Sequence, residues 1–456
     1  MLKVSKISFA IATSILLVSC ANIDHSYQAS QADFQQYEEL TKQYKIQENW
    51  WTLYQDSQLN QLVEKGLANN KDLAKAAIAV NIALYKANLL GAALVPNFTG
   101  VLGSSASKNI HIGGNSLTIH EGSLNVSYTL DLWRNLADSA SAAEWTHAAT
   151  AKDLEAARIS LINSIVTVYY RLAYLNDAIK VTEQTIKYYS KINHIMHNKL
   201  NLGLADSAST DQAQQAVLTA RNMLIGYQTQ RKVAETMLRD LLNLKPNDAL
   251  NINYPKILSV KNVGINLNVP FSTIANRPDV KAMQYRLNSA FKNAKAMQKS
   301  WFPSITLAAG LSSKGNKVDN TFEAPIASGL IKVNLPFLSW NTVKWNVKIS
   351  EANYSVALAT FEQSITSALN DIDKNYFAYT QAQQNLANLK QTHNYNMRIT
   401  QYYRNRYNAG IAELKDWLNA ANMEKRSELA ILDAKYNLIQ SENAVYSSMG
   451  GYYSIN

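Results

Sequence analysis

"LNVSYTLDLWRN", residues 124–135, sets Leu124, Val126, Tyr128 and Leu130 in alternation with Asn125, Ser127, Thr129 and Asp131. Strict alternation sends side chains to two faces of an extended strand, here one apolar and one polar. The stretch has a counterpart. "IKVNLPFLSWNT", residues 331–342, lies 207 positions later, with Val126/Val333 and Trp133/Trp340 in register. The same offset relates Pro96 in "LVPNFTG" to Pro303 in "WFPSITL", and Tyr169-Tyr170 to Tyr376-Phe377. It also relates "NKDL" at 70–73 to "RPDV" at 277–280, and the "NLG" ending at Gly203 to the "NAG" ending at Gly410. Anchors that share one ungapped offset describe a tandem duplication. The units span 50–244 and 277–450, and the segment 245–276, with Pro246, Pro255 and Pro270, reads as a linker.

Each unit has one plan: a helix, a strand pair, then a long helical hairpin. Neither proline nor glycine occurs between Gly122 and Gly203, or between Pro336 and Gly410. Both gaps therefore suit uninterrupted helices. In the first gap Leu161, Ile165, Val168, Leu172, Leu175 and Ile179 begin a heptad seam that continues to Leu200. A second seam runs from Val217 to Leu241. Two seams about a single glycine predict an antiparallel coiled-coil hairpin. A helix over 136–200 would be roughly 100 Å long at 1.5 Å per residue. A spectrin-like bundle would carry similar seams.

Ile305, Leu307, Ala309 and Leu311 alternate in the same way, as do Ile331, Val333 and Leu335. Such segments fit a transmembrane barrel, and equally a soluble sheet packed on the coils. The turns, "SKNIHIGGNS" and "SKGNKVDN", are polar and glycine-bearing. Four strands do not close a membrane barrel, which needs about eight or more. Strands in lipid would then require several copies, and three copies give twelve.

The chain has one cysteine, Cys20, which excludes internal disulfides and paired-cysteine zinc or redox motifs. Lys3 and Lys6 precede an apolar run, Ile7 to Val18, that is too short to span a bilayer as a helix. Leu17-Val18-Ser19-Cys20 fits the bacterial lipobox, in which the cysteine takes a diacylglycerol after cleavage; an ordinary signal cleavage site is the alternative. Residues 1–19 are thus a lipoprotein signal peptide, 20–49 a lipid-anchored extension and 451–456 a C-terminal tail. Ala21, in place of an aspartate, favours sorting to the outer membrane. The net charge of +10 falls to +8 without the two signal lysines (10 − 2), and it is scattered among acids, so no basic stripe points to nucleic acid. No stretch after residue 20 is expected to be apolar enough for a spanning helix, so further entry into a membrane must use strands.

Several motifs together resemble the TolC/OprM family of outer-membrane factors, in its lipoprotein, NodT-like branch. They are the lipobox, "NWWTLYQDSQLNQLVEKGLANNKDLAKA" at 49–76, "VSYTLDLW" at 126–133, "RPDV" at 277, "WFPSITLAAG" at 301 and "YNAGIAELKDWLNA" at 407. The resemblance implies a mainly α protein with membrane β: a homotrimer sharing a twelve-stranded β-barrel, continued by an α-helical tube through the periplasm. It implies a passive exit duct for small molecules, docked through a periplasmic adaptor (membrane fusion) protein to an inner-membrane pump. Gly203 and Gly410 would mark the far tip of the tube. Tyr407 matches a family tyrosine that holds the tip shut, and Asp416 an aspartate that lines the aperture, where three copies would form an acidic ring. Ala412 and Asn419 stand where some members carry an arginine and a second aspartate, and Ser209 is the counterpart of Asp416 in the first unit. An outlet for protein secretion is a second reading within the fold. A lipid-anchored adaptor is a rival, although it should have one hairpin rather than two.

Other chemistry finds no complete motif. "GLSSKGNK" at 310–317 has Asn316 where a phosphate loop needs lysine. His194 with His197, and His111 with His120, lack a third ligand. Neither a nucleophile elbow nor a zinc-protease helix occurs, so an enzyme carried on a helical scaffold is disfavoured and no cofactor is expected beyond the lipid on Cys20.

Overall fold

The computed structural model describes residues 23–39, 44–111, 113, 115–266 and 269–455; Cys20 and the signal segment lie outside the described residues. In chain order the elements are α1 (23–39), β1 (Tyr44–Gln47), α2 (Ser57–Asn69), α3 (Lys71–Gly91), β2 (Asn97–Ser107), β3 (Leu117–Leu130) and α4 (Asn135–Asn201). There follow α5 (Ser207–Leu241), α6 (Pro278–Lys299), β4 (Ser304–Gly315), β5 (Ile326–Asn334), α7 (Trp340–Asn408), α8 (Leu414–Met449) and β6 (Tyr452–Ile455). The starts of α3 and α6, β2 and β4, and α5 and α8 are each 207 residues apart. The two proline- and glycine-free gaps each hold one uninterrupted helix, of 67 and 69 residues and about 100 Å long.

Spatially the chain forms two compact units, and neither is a sequence repeat. One gathers residues 77–153 and 279–364 with most of α1. Its centre is an antiparallel sheet in the order β2-β3-β4-β5. Around it α4 and α6 are joined by ion pairs: buried Asp138 meets Lys292 at 3.7 Å and also Lys299, and Asp153 meets Arg286. Helix α1 lies along α6 and α7. Tyr27 stacks on Phe291 at 4.0 Å, Asp24 pairs with Lys295 at 2.5 Å, and Phe34 meets Phe361 edge-on at 5.3 Å, both rings buried.

The other unit holds residues 37–76, 154–278 and 365–456. Its main core packs the seam of α4 (Leu161, Ile165, Val168, Leu172, Leu175) against Ala234 and Leu238 of α5 and Leu432, Tyr436 and Ile439 of α8. The heptad spacing thus buries one stripe of α4, as a coiled coil requires. The segment read as a linker is packed: Gly264 N–H donates to Glu442 at 2.6 Å, Tyr446 hydroxyl donates to the Gly264 carbonyl at 2.7 Å, and Lys435 donates to Asn262. Strands β1 and β6 pair antiparallel, tying the extension and the tail into this unit.

Two expectations are corrected. Residues 71–94 are long and apolar enough to cross a membrane as a helix, and little of the most apolar stretch is buried within the chain. Alanine, leucine and isoleucine serve a helix in lipid and a helix packed on helices equally, so composition does not separate them. The second outer turn is also later than expected. Strand β4 continues through Ser313 to Gly315, paired along β3, and the loop covers 316–325.

Candidate functional site: barrel wall and hairpin tips

Register fixes the two faces of the sheet. Phe98, Leu102, Leu124, Val126, Tyr128, Leu311, Leu307, Ile331 and Val333 share one face, and large members such as Leu102 are up to 81% exposed. On the other face the rows read Ser127–Ala308–Leu330, Asn125–Gly310–Ser328 and Thr129–Thr306–Lys332. The Thr129 and Thr306 hydroxyls are hydrogen-bonded at 3.0 Å. A sheet apolar on one exposed face and hydroxyl- and amide-rich on the other suits lipid on one side and water on the other. Among the described residues both β2 and β5 have a free edge. At the ends facing the helices, Trp133 stacks on Phe302 at 4.7 Å and Trp340 is exposed, matching the aromatic girdle of a membrane interface.

The hairpin tips lie in the other unit. Gly203 has φ +69° and Gly410 φ +73°, the left-handed conformation in which a Cβ is strained. Around Gly203, the Gly203 N–H donates to Leu200 O at 2.9 Å and Leu204 N–H to Lys199 O at 2.7 Å. Around Gly410, the Gly410 N–H donates to Tyr407 O at 3.0 Å and Ile411 N–H to Arg406 O at 2.9 Å. Both turns are Schellman motifs, which satisfy the last helix carbonyls and let the chain reverse. Tyr407 meets the first hairpin: Lys199 Nζ donates to its hydroxyl at 3.0 Å and sits 4.7 Å from its ring centroid. The Tyr407 hydroxyl in turn donates to Met196 Sδ at 3.5 Å, and its ring lies 5.3 Å from Trp417. Asp416 is half-buried in the first turn of α8, where a carboxylate is favoured by the helix N-terminus. It makes no ion pair or side-chain hydrogen bond among the described residues. The structure therefore joins Tyr407 to both hairpins and leaves Asp416 apart.

Lys199 and Trp417 were not singled out from the sequence, and Met196 was read only as a position of the α4 heptad seam. Their signal is position: Met196 and Trp417 are buried in one cluster with Tyr189, Ile192 and Leu414. Glu442 was missed as well. It is 1% exposed and belongs to a buried polar set in which Trp50 Nε1 donates to Asn443 at 2.8 Å. Burial pushes the Glu442 carboxyl up, while the Gly264 N–H and the Tyr54 hydroxyl favour the ionised form and offset part of that rise. Burial lowers the Lys435 ammonium, and nearby Glu442 opposes the shift. Among the described residues no group of three or more His, Cys, Asp or Glu is placed to hold a metal ion.

The chain matches the outer membrane efflux protein family over residues 62–244 and again over 269–451. It is 63% identical over 453 residues to an uncharacterised protein of Haemophilus influenzae, covering 99% of this chain and all of that one. It is 61% identical over 455 residues to toxin and drug export protein A of Aggregatibacter actinomycetemcomitans, covering the whole of both chains. Among solved structures, the outer-membrane channel OprN superposes with a TM-score of 0.80 at 19% identity, over 89% of this chain and 93% of that one. The two-faced sheet, the long hairpins and the repeated match agree: the chain belongs to the outer membrane efflux protein family, channels with a barrel in the outer membrane and a helical tube in the periplasm.

Proposed function

We propose that three copies of this chain share one twelve-stranded barrel and form the passive exit duct of a tripartite efflux system, passing small molecules expelled by an inner-membrane pump. The observation that carries this reading is the sheet, two-faced and four-stranded with free edges at β2 and β5. An open edge in hydrocarbon leaves each backbone group unpaired at a cost of several kcal/mol, and joining β5 of one copy to β2 of the next removes every edge. The hairpins carry the duct to the periplasmic adaptor, which meets it around Gly203 and Gly410. Tyr407, held by Lys199, fastens the two hairpins of one chain, and three Asp416 carboxylates ring the aperture. Cys20, carrying a diacylglycerol once residues 1–19 are removed, tethers the N-terminus, while the barrel carries insertion. The units 50–244 and 277–450 supply equivalent parts of the wall, and 245–276 packs as a belt between them in sequence.

A second reading, an outlet for a secreted polypeptide, is favoured by the name of the 61% identical relative, toxin and drug export protein A. Light scattering of detergent-extracted outer-membrane protein, with detergent subtracted, should give three chains per particle; a single chain would overturn the shared barrel. Deleting the gene should raise dye accumulation in cells if small molecules are the cargo. Loss of a secreted polypeptide with unchanged dye accumulation would select the second reading.

A further inference from the structure

The polar face of the sheet carries three charged side chains on its strands: Glu121, Lys314 and Lys332. Glu121 and Lys314 are cross-strand partners 3.2 Å apart and cancel. Lys332 faces Thr306 across β4, and beyond it Thr129. Among the described residues it has no ion pair. Asp131, the acid that follows β3 at that end of the sheet, is turned onto the Leu136 and Ala137 N–H groups that open α4, at 3.0 and 2.8 Å. Barrel closure would set β2 of the next copy beside β5, and on this face β2 presents Asn97, Thr99 and Val101, none of them acidic. The counterpart of Lys332 in the first repeat is Asn125, a neutral amide that lies over Gly310. The duplication therefore places this charge once per chain, not twice.

We infer that Lys332 is a specificity-determining residue of the barrel: three unpaired ammonium groups at one level of the lumen favour anionic solutes over cationic ones. This rests on the shared-barrel reading above. Rings of like charge set the ion preference of pores, and a low-dielectric wall focuses their field along the water-filled axis. Screening matters at this range, since the Debye length is about 10 Å at 0.1 M salt and longer below it.

The test is the reversal potential of the purified, full-length protein in planar bilayers under a tenfold KCl gradient at low ionic strength. Relative to wild type, in which the proposed Asp416 ring acts in the opposite sense, Lys332→Gln should lower the chloride-to-potassium permeability ratio several-fold and Lys332→Glu should lower it further. The ratio in each variant should move back toward unity in molar salt. A ratio unmoved by Lys332→Glu, in trimers that conduct normally, would overturn the inference and leave the channel intact. Wild-type protein that neither trimerises nor conducts would instead overturn the shared barrel. Light scattering on each variant distinguishes lost assembly from altered selectivity.

Discussion

Helices α4 and α7 are counterparts in the repeat and nearly equal in length, yet they differ in what surrounds them. Along α4 a single large apolar side chain, Ile195, is exposed. Along α7 nine are: Trp340, Trp345, Ile349, Val356, Phe377, Tyr395, Met397, Ile399 and Tyr402. The equivalent pair Tyr170 and Phe377 makes the contrast sharp, at 1% and 65% exposure. Both sequences have the spacing of a packed helix. In its lower part α4 has α5 and α8 of its own chain on it. There α7 has α8, through Thr400 with Ala420, Asn396 with Met423 and His393 with Ser427. Its nine exposed apolar residues await a partner. On the shared-barrel reading that partner is another copy. The contrast runs the other way between α5, with Leu218, Ile225, Val233 and Met237 exposed, and its counterpart α8, where only Met423 is, so each half leaves a different helix for assembly to cover.

The largest effect expected separates α4 from α7 directly. Tyr170→Ala should cost about 3–5 kcal/mol of chain stability, as for other large buried aromatics. Phe377→Ala should change the stability of the isolated chain by less than about 0.5 kcal/mol but shift the trimer toward smaller particles. Urea unfolding followed by helical dichroism, with light scattering on the same samples, reads both. Equal losses of chain stability at the two positions would break the comparison.

An intermediate effect concerns the buried acid of α8. The Glu442 carboxyl titrates above the ordinary Glu range in the folded chain, so it binds its proton more tightly there than when unfolded. Its contribution is most favourable below the unfolded pKa and is lost as pH rises through the folded one. Glu442→Gln removes that dependence and still offers an oxygen to the Gly264 N–H. The melting temperature of the variant relative to wild type should therefore climb across that window. A constant difference would mean that the acid is ionised throughout and already well compensated.

The smallest effect lies at the tips. Asp206 caps α5 by accepting from Ser209 N–H at 2.8 Å. Its counterpart Glu413 makes no side-chain cap and instead pairs with Lys415 at 2.8 Å on the surface. Asp206→Ala should speed amide exchange in the first turn of α5, whereas Glu413→Ala should leave the first turn of α8 nearly unchanged. Similar acceleration at both would show that Glu413 caps its helix after all.

The repeat also explains how much was legible in advance. Apart from Trp133, which precedes α4 while Trp340 opens α7, the anchors at offset 207 fall on matching elements, because proline, glycine and strand alternation act on the backbone locally. Where identity is not preserved, function sometimes is. Asn70 donates to Leu241 O at 3.0 Å, and Arg277, 207 residues later, donates to Ser448 O at 3.1 Å. Asn243 (φ +53°) and Gly450 (φ +77°) end equivalent helices in the same left-handed turn. Such pairs are opaque in the letters, because a hydrogen bond requires a donor in the right place rather than a particular residue.

The sequence by itself determined the long helices, the hairpin glycines, the alternating strands and the duplication, since each follows from periodicity or from backbone preferences of neighbouring residues. Only the tertiary structure decided that 245–276 is packed against α8, that Tyr407 reaches Lys199 in the other hairpin, and that Lys332 stands unpaired while Lys314 is neutralised. Those outcomes depend on which strands and helices become neighbours across hundreds of residues, and no local pattern encodes the partner of a buried carboxylate or a cross-strand charge.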